Sequence, residues 1–339
     1  MTKIHQTSDR WRLGLALSLL TVFLWGILPI ALTVTLRQVD VYTVTWFRFL
    51  ISFVLLAIYL GTQGKLPTLR QLRSTSWKLL AIATIFLASN YILYLQGLAL
   101  TSPSNAQVII QLAPLLMGFG GLVIFREHYT LRQWFGVGVL TVGFILFFHE
   151  QLFQSFVEIS QYTNSSSIHL ATLAKYLSLF NALGITLNAS NQYLLGSSLI
   201  VLAAATWAVY ALAQKQLLQS LSSANIMLII YGGCTLFFSL VANPKIILSL
   251  DLLHFGMLIF CALNTLIAYG AFAESLQHWE ASRVSAVLAS TPIVTLLSVG
   301  IISVIVPNLI SPEKINFIGI LGAILVATGS VAIALGKHS

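Results

Sequence analysis

The sequence predicts an all-α integral membrane protein with ten transmembrane helices arranged as two inverted five-helix repeats. Three observations carry this. Of the 339 residues, 58% are hydrophobic and only 8% are charged, against about 25% charged in a soluble domain. Mean hydropathy is +0.91, so too little polar surface exists to wet a globule, and lipid must cover much of the chain. Ten apolar runs of spanning length follow one another. The two halves also resemble each other.

A spanning helix needs about 20 mostly apolar residues. The runs fall at about 13–36, 41–60, 78–98, 104–125, 132–149, 194–214, 224–242, 252–274, 282–306 and 315–335. Gly and Pro interrupt several of them, which membrane bundles tolerate. The first run is too long for a signal-peptide core and no A-x-A-like site follows, so it reads as a retained span. The organisation is a cytoplasmic tail over 1–12, a first repeat over 13–149, a connector over 150–193 and a second repeat over 194–336. The connector is polar around Asn164 to Ser167 and moderately apolar from Leu170 to Leu187. It reads as an external segment with a surface-lying helix, or as an eleventh span.

The net charge is +8, from 17 Lys+Arg against 9 Asp+Glu. The basic residues sit between apolar runs and not on a soluble face, so membrane topology explains them better than nucleic acid does. With the N-terminus inside, Lys3, Arg10, Arg12, Lys65, Arg70, Arg73, Lys78, Arg126, Arg132, Lys215, Arg283 and Lys337 are cytoplasmic. Arg37, Lys175, Lys245 and Lys314 are external, and Arg48 lies within a span. This positive-inside bias places both termini in the cytoplasm and disfavours an eleventh span. Cys234 and Cys261 lie in apolar stretches without metal-ligand spacing. No nucleotide-binding loop or hydrolase motif occurs, and no cofactor or metal is expected.

The repeat is seen in LALTSPSNAQVIIQLAPLL (98–116) against LQHWEASRVSAVLASTPIV (276–294), which aligns Ser104 with Ser282 and Pro114 with Pro292. Trp25 pairs with Trp207, and Gln96 with Glu274. Five spans per half is odd, so the second copy inserts upside down. Inverted repeats permit alternating access, with sites near the midplane.

Polar residues inside spans are costly and need a reason. Helical spacing puts Asn90 and Tyr94 on one face of span three, and Gln107, Gln111 and Pro114 on one face of span four. Trp25, Trp207, Tyr210, Asn264, Tyr269 and Ser285 complete a candidate cavity lining for a small amphipathic solute. The competing reading is interhelical hydrogen bonding. Pro114 and Pro292 are hinge candidates, or static kinks. Arg48 either attracts an anionic group or carboxylate, or snorkels or bonds carbonyls. Glu274 either carries a proton for coupled transport or is a wetted helix end near His278 and Arg283.

The Trp25-Gly26 pair, the Trp46-Phe47-Arg48-Phe49-Leu50 run, the span around Pro114, Arg126-Glu127, Gln133-x-x-Gly136 and Gly143 resemble the EamA family of the drug/metabolite transporter superfamily. Trp207, Tyr269, Ala281-Ser282-Arg283-Val284-Ser285 and Pro292 carry the resemblance in the second half. It implies a bacterial-type inner-membrane secondary transporter that exports a small metabolite, amino-acid-like or another amphipathic solute, with lipid and solute as partners; Glu274 makes protons a candidate coupling ion. Two other classes stay open on the residues alone: a membrane-embedded enzyme on a lipid-linked substrate, and a non-transporting scaffold or sensor subunit.

Overall fold

The computed structural model describes residues 10–68, 77–113, 115–116, 130–149, 189–217, 220–278, 284, 287–310, 312–313 and 316–334. The connector expected at 150–193 therefore lies almost wholly outside the described residues, as do Pro114 and Ser285. The described residues form ten α-helices and no strand. In chain order they are α1 (Trp11–Thr35), α2 (Val41–Thr62), α3 (Trp77–Leu100), α4 (Pro103–Ile109) and α5 (Leu131–Phe147). The second half supplies α6 (Ala189–Leu217), α7 (Ser223–Phe238), α8 (Leu252–His278), α9 (Thr291–Ile305) and α10 (Phe317–Ala334).

Helix starts are fixed by side chains that satisfy the free backbone N–H groups of a first turn. The Asp40 carboxylate accepts from the Tyr42 and Thr43 amides, both at 3.0 Å. Ser102 and Ser222 cap α4 and α7 in the same way. Thr130 and Gln133 form a reciprocal capping box at α5. Pro103 opens α4, where its missing N–H costs nothing.

Five helices (α1, α2, α3, α6 and α8) are long and apolar enough to cross a bilayer by length and composition. α5, α7, α9 and α10 are shorter apolar helices. The seventh run was expected to reach 242, but α7 ends at Phe238. Ser239 to Asn243 then turn into a 3-10 segment, Pro244–Ser249. Large apolar side chains point outward around the bundle, among them Phe135, Leu236, Leu297, Val304 and Phe317. In water such a surface is an aggregation hazard, whereas in lipid it is the solvated face.

Packing repeats under exchange of the halves. α1 packs lengthwise on α8 as α6 packs on α3, and α2 meets α8 as α7 meets α3. The pairs α5–α10 and α2–α7 map onto themselves. The register of Trp25 with Trp207 and Gln96 with Glu274 sharpens the match. The Asn90 amide of α3 donates to the Ala203 carbonyl of α6 at 2.8 Å. At the equivalent positions, Thr21 of α1 shares its proton between the Leu17 carbonyl of its own helix at 2.9 Å and the Ala268 carbonyl of α8 at 3.4 Å. The same two positions are thus bridged in both copies, with the donor on the opposite helix.

The α5–α10 crossing is the tightest. A Cβ on Gly136 would meet the Gly329 carbonyl at 2.8 Å, and one on Gly143 the Val326 amide at 2.6 Å. A Cβ on Gly322 would overlap the Phe147 backbone. Early residues of α5 oppose late residues of α10, so the two helices are antiparallel. Small residues let backbones approach where no hydrophobic drive exists between helices.

Candidate functional site

Where the halves meet, α2 brings a cation into the bundle. Arg48 lies seven residues beyond Val41, about 10 Å along the helix at 1.5 Å per residue, and is 3% exposed. Its Nε donates to Thr265 Oγ1 of α8 at 2.9 Å. Thr265 can accept because its own proton goes to the Cys261 carbonyl, 2.9 Å away. The guanidinium carbon stands 4.6 Å over the Tyr91 ring of α3, a cation–π contact. Arg48 thus joins the first repeat to the second through one hydrogen bond, while its ring contact with Tyr91 stays within the first.

Tyr91 lies 4.5 Å from Phe49, and Phe49 lies 5.8 Å from Tyr231, centroid to centroid. Counted from the N-caps Asp40 and Ser222, Phe49 and Tyr231 are equivalent positions that touch each other. The pseudo-two-fold axis passes between them. Tyr91 and Tyr269 are likewise equivalent, and the Tyr91 hydroxyl lies toward Tyr269 and Thr265 without closing a hydrogen bond. Tyr94 is half-buried within reach of the Arg48 charge.

The residues singled out from sequence fall into distinct groups. Trp25 and Tyr269 stack edge-on with centroids 5.2 Å apart, and Phe272 closes on Trp25 at 5.7 Å. This aromatic corner joins α1 to α8 beside Tyr91. Asn90 and Asn264 bond helices together, to the Ala203 and Leu24 carbonyls at 2.8 and 2.6 Å. The carboxamide oxygen of Asn264 keeps no partner. Gln107 and Gln111 are buried on α4 and just past its end.

Trp207 touches Tyr210 at 6.3 Å. Tyr210 is packed in the apolar cluster of α3, α6 and α7, its hydroxyl on Met227 Sδ at 3.3 Å. Pro292 occupies the first turn of α9, after a turn at Ala289 and Ser290. It opens a helix there and removes no needed backbone donor. Glu274 is exposed near the end of α8 and meets His278 at 3.1 Å.

Sequence reasoning missed Tyr91 and Thr265. Tyr91 was within reach, because the register that matches Gln96 to Glu274 also matches Tyr91 to Tyr269. Thr265 gave no signal, since a lone Thr in a span usually bonds its own helix.

One face of the bundle is tied shut across the repeats. It is the face where α1 ends and α2 begins. Arg37 donates to the Asn308 and Leu309 carbonyls at 3.1 and 2.6 Å. Ser102 Oγ and the Ser104 amide donate to the Glu313 carboxylate at 3.0 and 3.4 Å. Asn316 and His149 meet at 3.2 Å. Beneath them Ile30, Val34, Val299 and Ile310 form an apolar plug. Burial pushes the Glu313 carboxyl above its usual range, against the opposing pull of the two serines. On the same face, Asp251 is held below its usual range by the His254 amide and ring.

Among known proteins, residues 12–149 and 194–335 match the EamA-like transporter family. The chain is similar to the uncharacterized inner membrane transporter YhbE of Escherichia coli K12, 33% identical over 327 residues that cover 96% of this chain and 92% of the relative. An uncharacterized transporter of Haemophilus influenzae is also 33% identical, over 324 residues covering 96% and 95%. A solved crystal structure superposes with a TM-score of 0.59 at 16% identity, covering 95% of this chain and 97% of the other. That likeness shows the fold alone.

Proposed function

Starting from the chain's membership of the EamA-like transporter family, we propose that it is a secondary transporter moving a small amphipathic metabolite, amino-acid-like in size, by alternating access. Membership makes it a membrane transporter, and the similar proteins carry that name. The observation that carries the finer reading is the exchange symmetry of the packing. α1 packs on α8 as α6 packs on α3, so swapping the conformations of the halves converts a bundle closed on one face into one closed on the other.

The bond set around Arg37 and Glu313 is one such closure. The positive-inside count assigns that face to the outside and both termini to the cytoplasm. The solute site sits between α1, α2, α3 and α8, where Trp25 and Tyr269 cover apolar surface and polar groups orient the rest. Export is favoured by the family resemblance. Proton coupling through Glu274 draws little support from an exposed carboxylate beside His278, and the proposal does not depend on it.

Purified protein in liposomes tests the reading. Counterflow of radiolabelled amino acids or other small metabolites is expected, with Trp25→Ala and Tyr269→Ala strongly reduced. Product formation without flux points to an enzyme, and neither activity points to a scaffold.

A further inference from the structure

Arg48 has five N–H donors in a planar fork. Among the described residues it makes one side-chain hydrogen bond, to Thr265. The other described carboxylates are spent elsewhere. Asp40 caps α2, Asp251 bonds His254, Glu274 meets His278 and Glu313 is held by Ser102 and Ser104. No ion pair to Arg48 exists among the described residues. A buried cation without a counter-ion is costly in any low-dielectric site, and in a membrane it marks a ligand or ion pathway.

The surroundings share one character. Tyr91 offers a hydroxyl that closes no hydrogen bond and a ring under the guanidinium. Donors therefore exceed acceptors around Arg48. The site lacks an acceptor-rich, negatively charged group. The Tyr91 and Tyr94 rings border Arg48, with Tyr269 beside Tyr91 and Trp25 beyond it, so a group held there would rest its body on apolar surface.

The symmetry-related contact shows that the packing does not require the charge. Equal steps from the N-caps place Ile230 where Arg48 stands, and the register that matches Tyr91 to Tyr269 places Leu87 opposite Thr265. Ile230 and Leu87 are both fully buried in one apolar cluster. The fold is served by an aliphatic pair at this position, and only the first half carries a charge there.

We propose that Arg48 is the anchor for the carboxylate of the transported solute, its free fork edge taking both oxygens while the Tyr91 hydroxyl donates a third bond. This rests on the transport reading above. The Arg fork matches a carboxylate in a bidentate way, which a Lys point charge reproduces only in part. The solute class follows: small monocarboxylates or amino acids with an apolar body.

The test is titration calorimetry on the purified full chain. The probes are the proteinogenic amino acids and short aliphatic and aryl monocarboxylates, each beside its primary amide, with inorganic phosphate as a further arm. At least one acid is expected to bind tighter than its amide by about tenfold or more. Arg48→Gln should bring acid and amide to equal affinity, and Arg48→Lys should keep part of the difference. Melting curves and gel-filtration profiles identify variants that fail to fold, and Arg48→Lys then carries the comparison.

Equal binding of acid and amide in the natural protein overturns the proposal. So does a preference that survives Arg48→Gln, or no carboxylate bound at all. Phosphate that outcompetes every carboxylate overturns the carboxylate assignment in favour of a phosphorylated ligand. Liposome flux separates the two levels. Acid and amide moving equally leaves transport standing without this anchor, and no flux of any solute removes the transport reading itself.

Discussion

The two halves agree in packing and differ in charge. Ile230 of the second half and Leu87 of the first fill an apolar position beside the axis. The equivalent pair is Arg48 of the first half and Thr265 of the second, joined at 2.9 Å. Around both pairs the helices cross alike, with Asn90–Ala203 echoed by Thr21–Ala268. Symmetry therefore reports what the fold needs, and its local failure reports what the fold does not need. A pair kept apolar in one copy of the contact and charged in the other is a candidate for function.

Variants that attack the shared packing should cost the most. Gly322→Leu drives a side chain into the Phe147 backbone. We expect a loss of roughly 3 kcal/mol or more, because backbone cannot yield as a side chain can. Thermal melts and gel filtration in detergent should show little monodisperse protein. Near-natural behaviour would mean that α5 and α10 do not approach as described.

Imposing the apolar pair on the charged one is the sharper experiment. Arg48→Ile with Thr265→Leu replaces a buried cation by two aliphatic chains. The doubly substituted chain should melt unchanged or higher, by about 1–3 kcal/mol, while solute flux falls to background. A large loss of stability would make Arg48 a structural residue and undo the comparison.

Charge also separates the tied face from the seam. Glu313 has a raised folded-state pKa because burial outweighs the serine donors. A raised pKa means that closure is favoured while the group is protonated and weakens as pH rises through that pKa. With Ile310→Cys as a reporter beneath the tie, thiol labelling from that face should speed up with rising pH. Glu313→Gln should flatten the profile, and faster labelling at low pH would contradict the sign.

The smallest effects belong to the recurring interhelical bonds. Asn90→Leu and Thr21→Val should each cost about 0.6 kcal/mol, readable as matched small shifts in melting temperature. A large effect at one alone would show that the halves are not bearing equivalent loads.

Much of this architecture was legible in the sequence. Ten apolar runs gave ten helices among the described residues, since hydropathy over about 20 residues is a strong signal in lipid. Trp25 and Trp207 set a register that the structure repeats. Helix ends were less legible. α7 stops at Phe238 and the chain turns before the 3-10 segment that Pro244 opens, a choice that hydropathy does not record. Site residues were the least legible. Asn90 and Tyr94 share a helical face, yet Asn90 bonds a carbonyl of α6 while Tyr94 stands near Arg48. Tyr210 looked like cavity lining but packs on Met227. Periodicity says which residues share a face and not what that face meets. The partner of Arg48 comes from another repeat 217 residues away.

Inversion of the halves is the claim on which the seam, the closure and the Arg48 site all depend. Lys65 follows α2 and Lys245 follows its counterpart α7, and both are exposed, while Cys234 and Cys261 are buried. Lys65→Cys and Lys245→Cys should label with a membrane-impermeant maleimide from opposite sides, Lys245→Cys in intact cells and Lys65→Cys only after permeabilisation. Labelling of both from the same side would contradict the inverted arrangement.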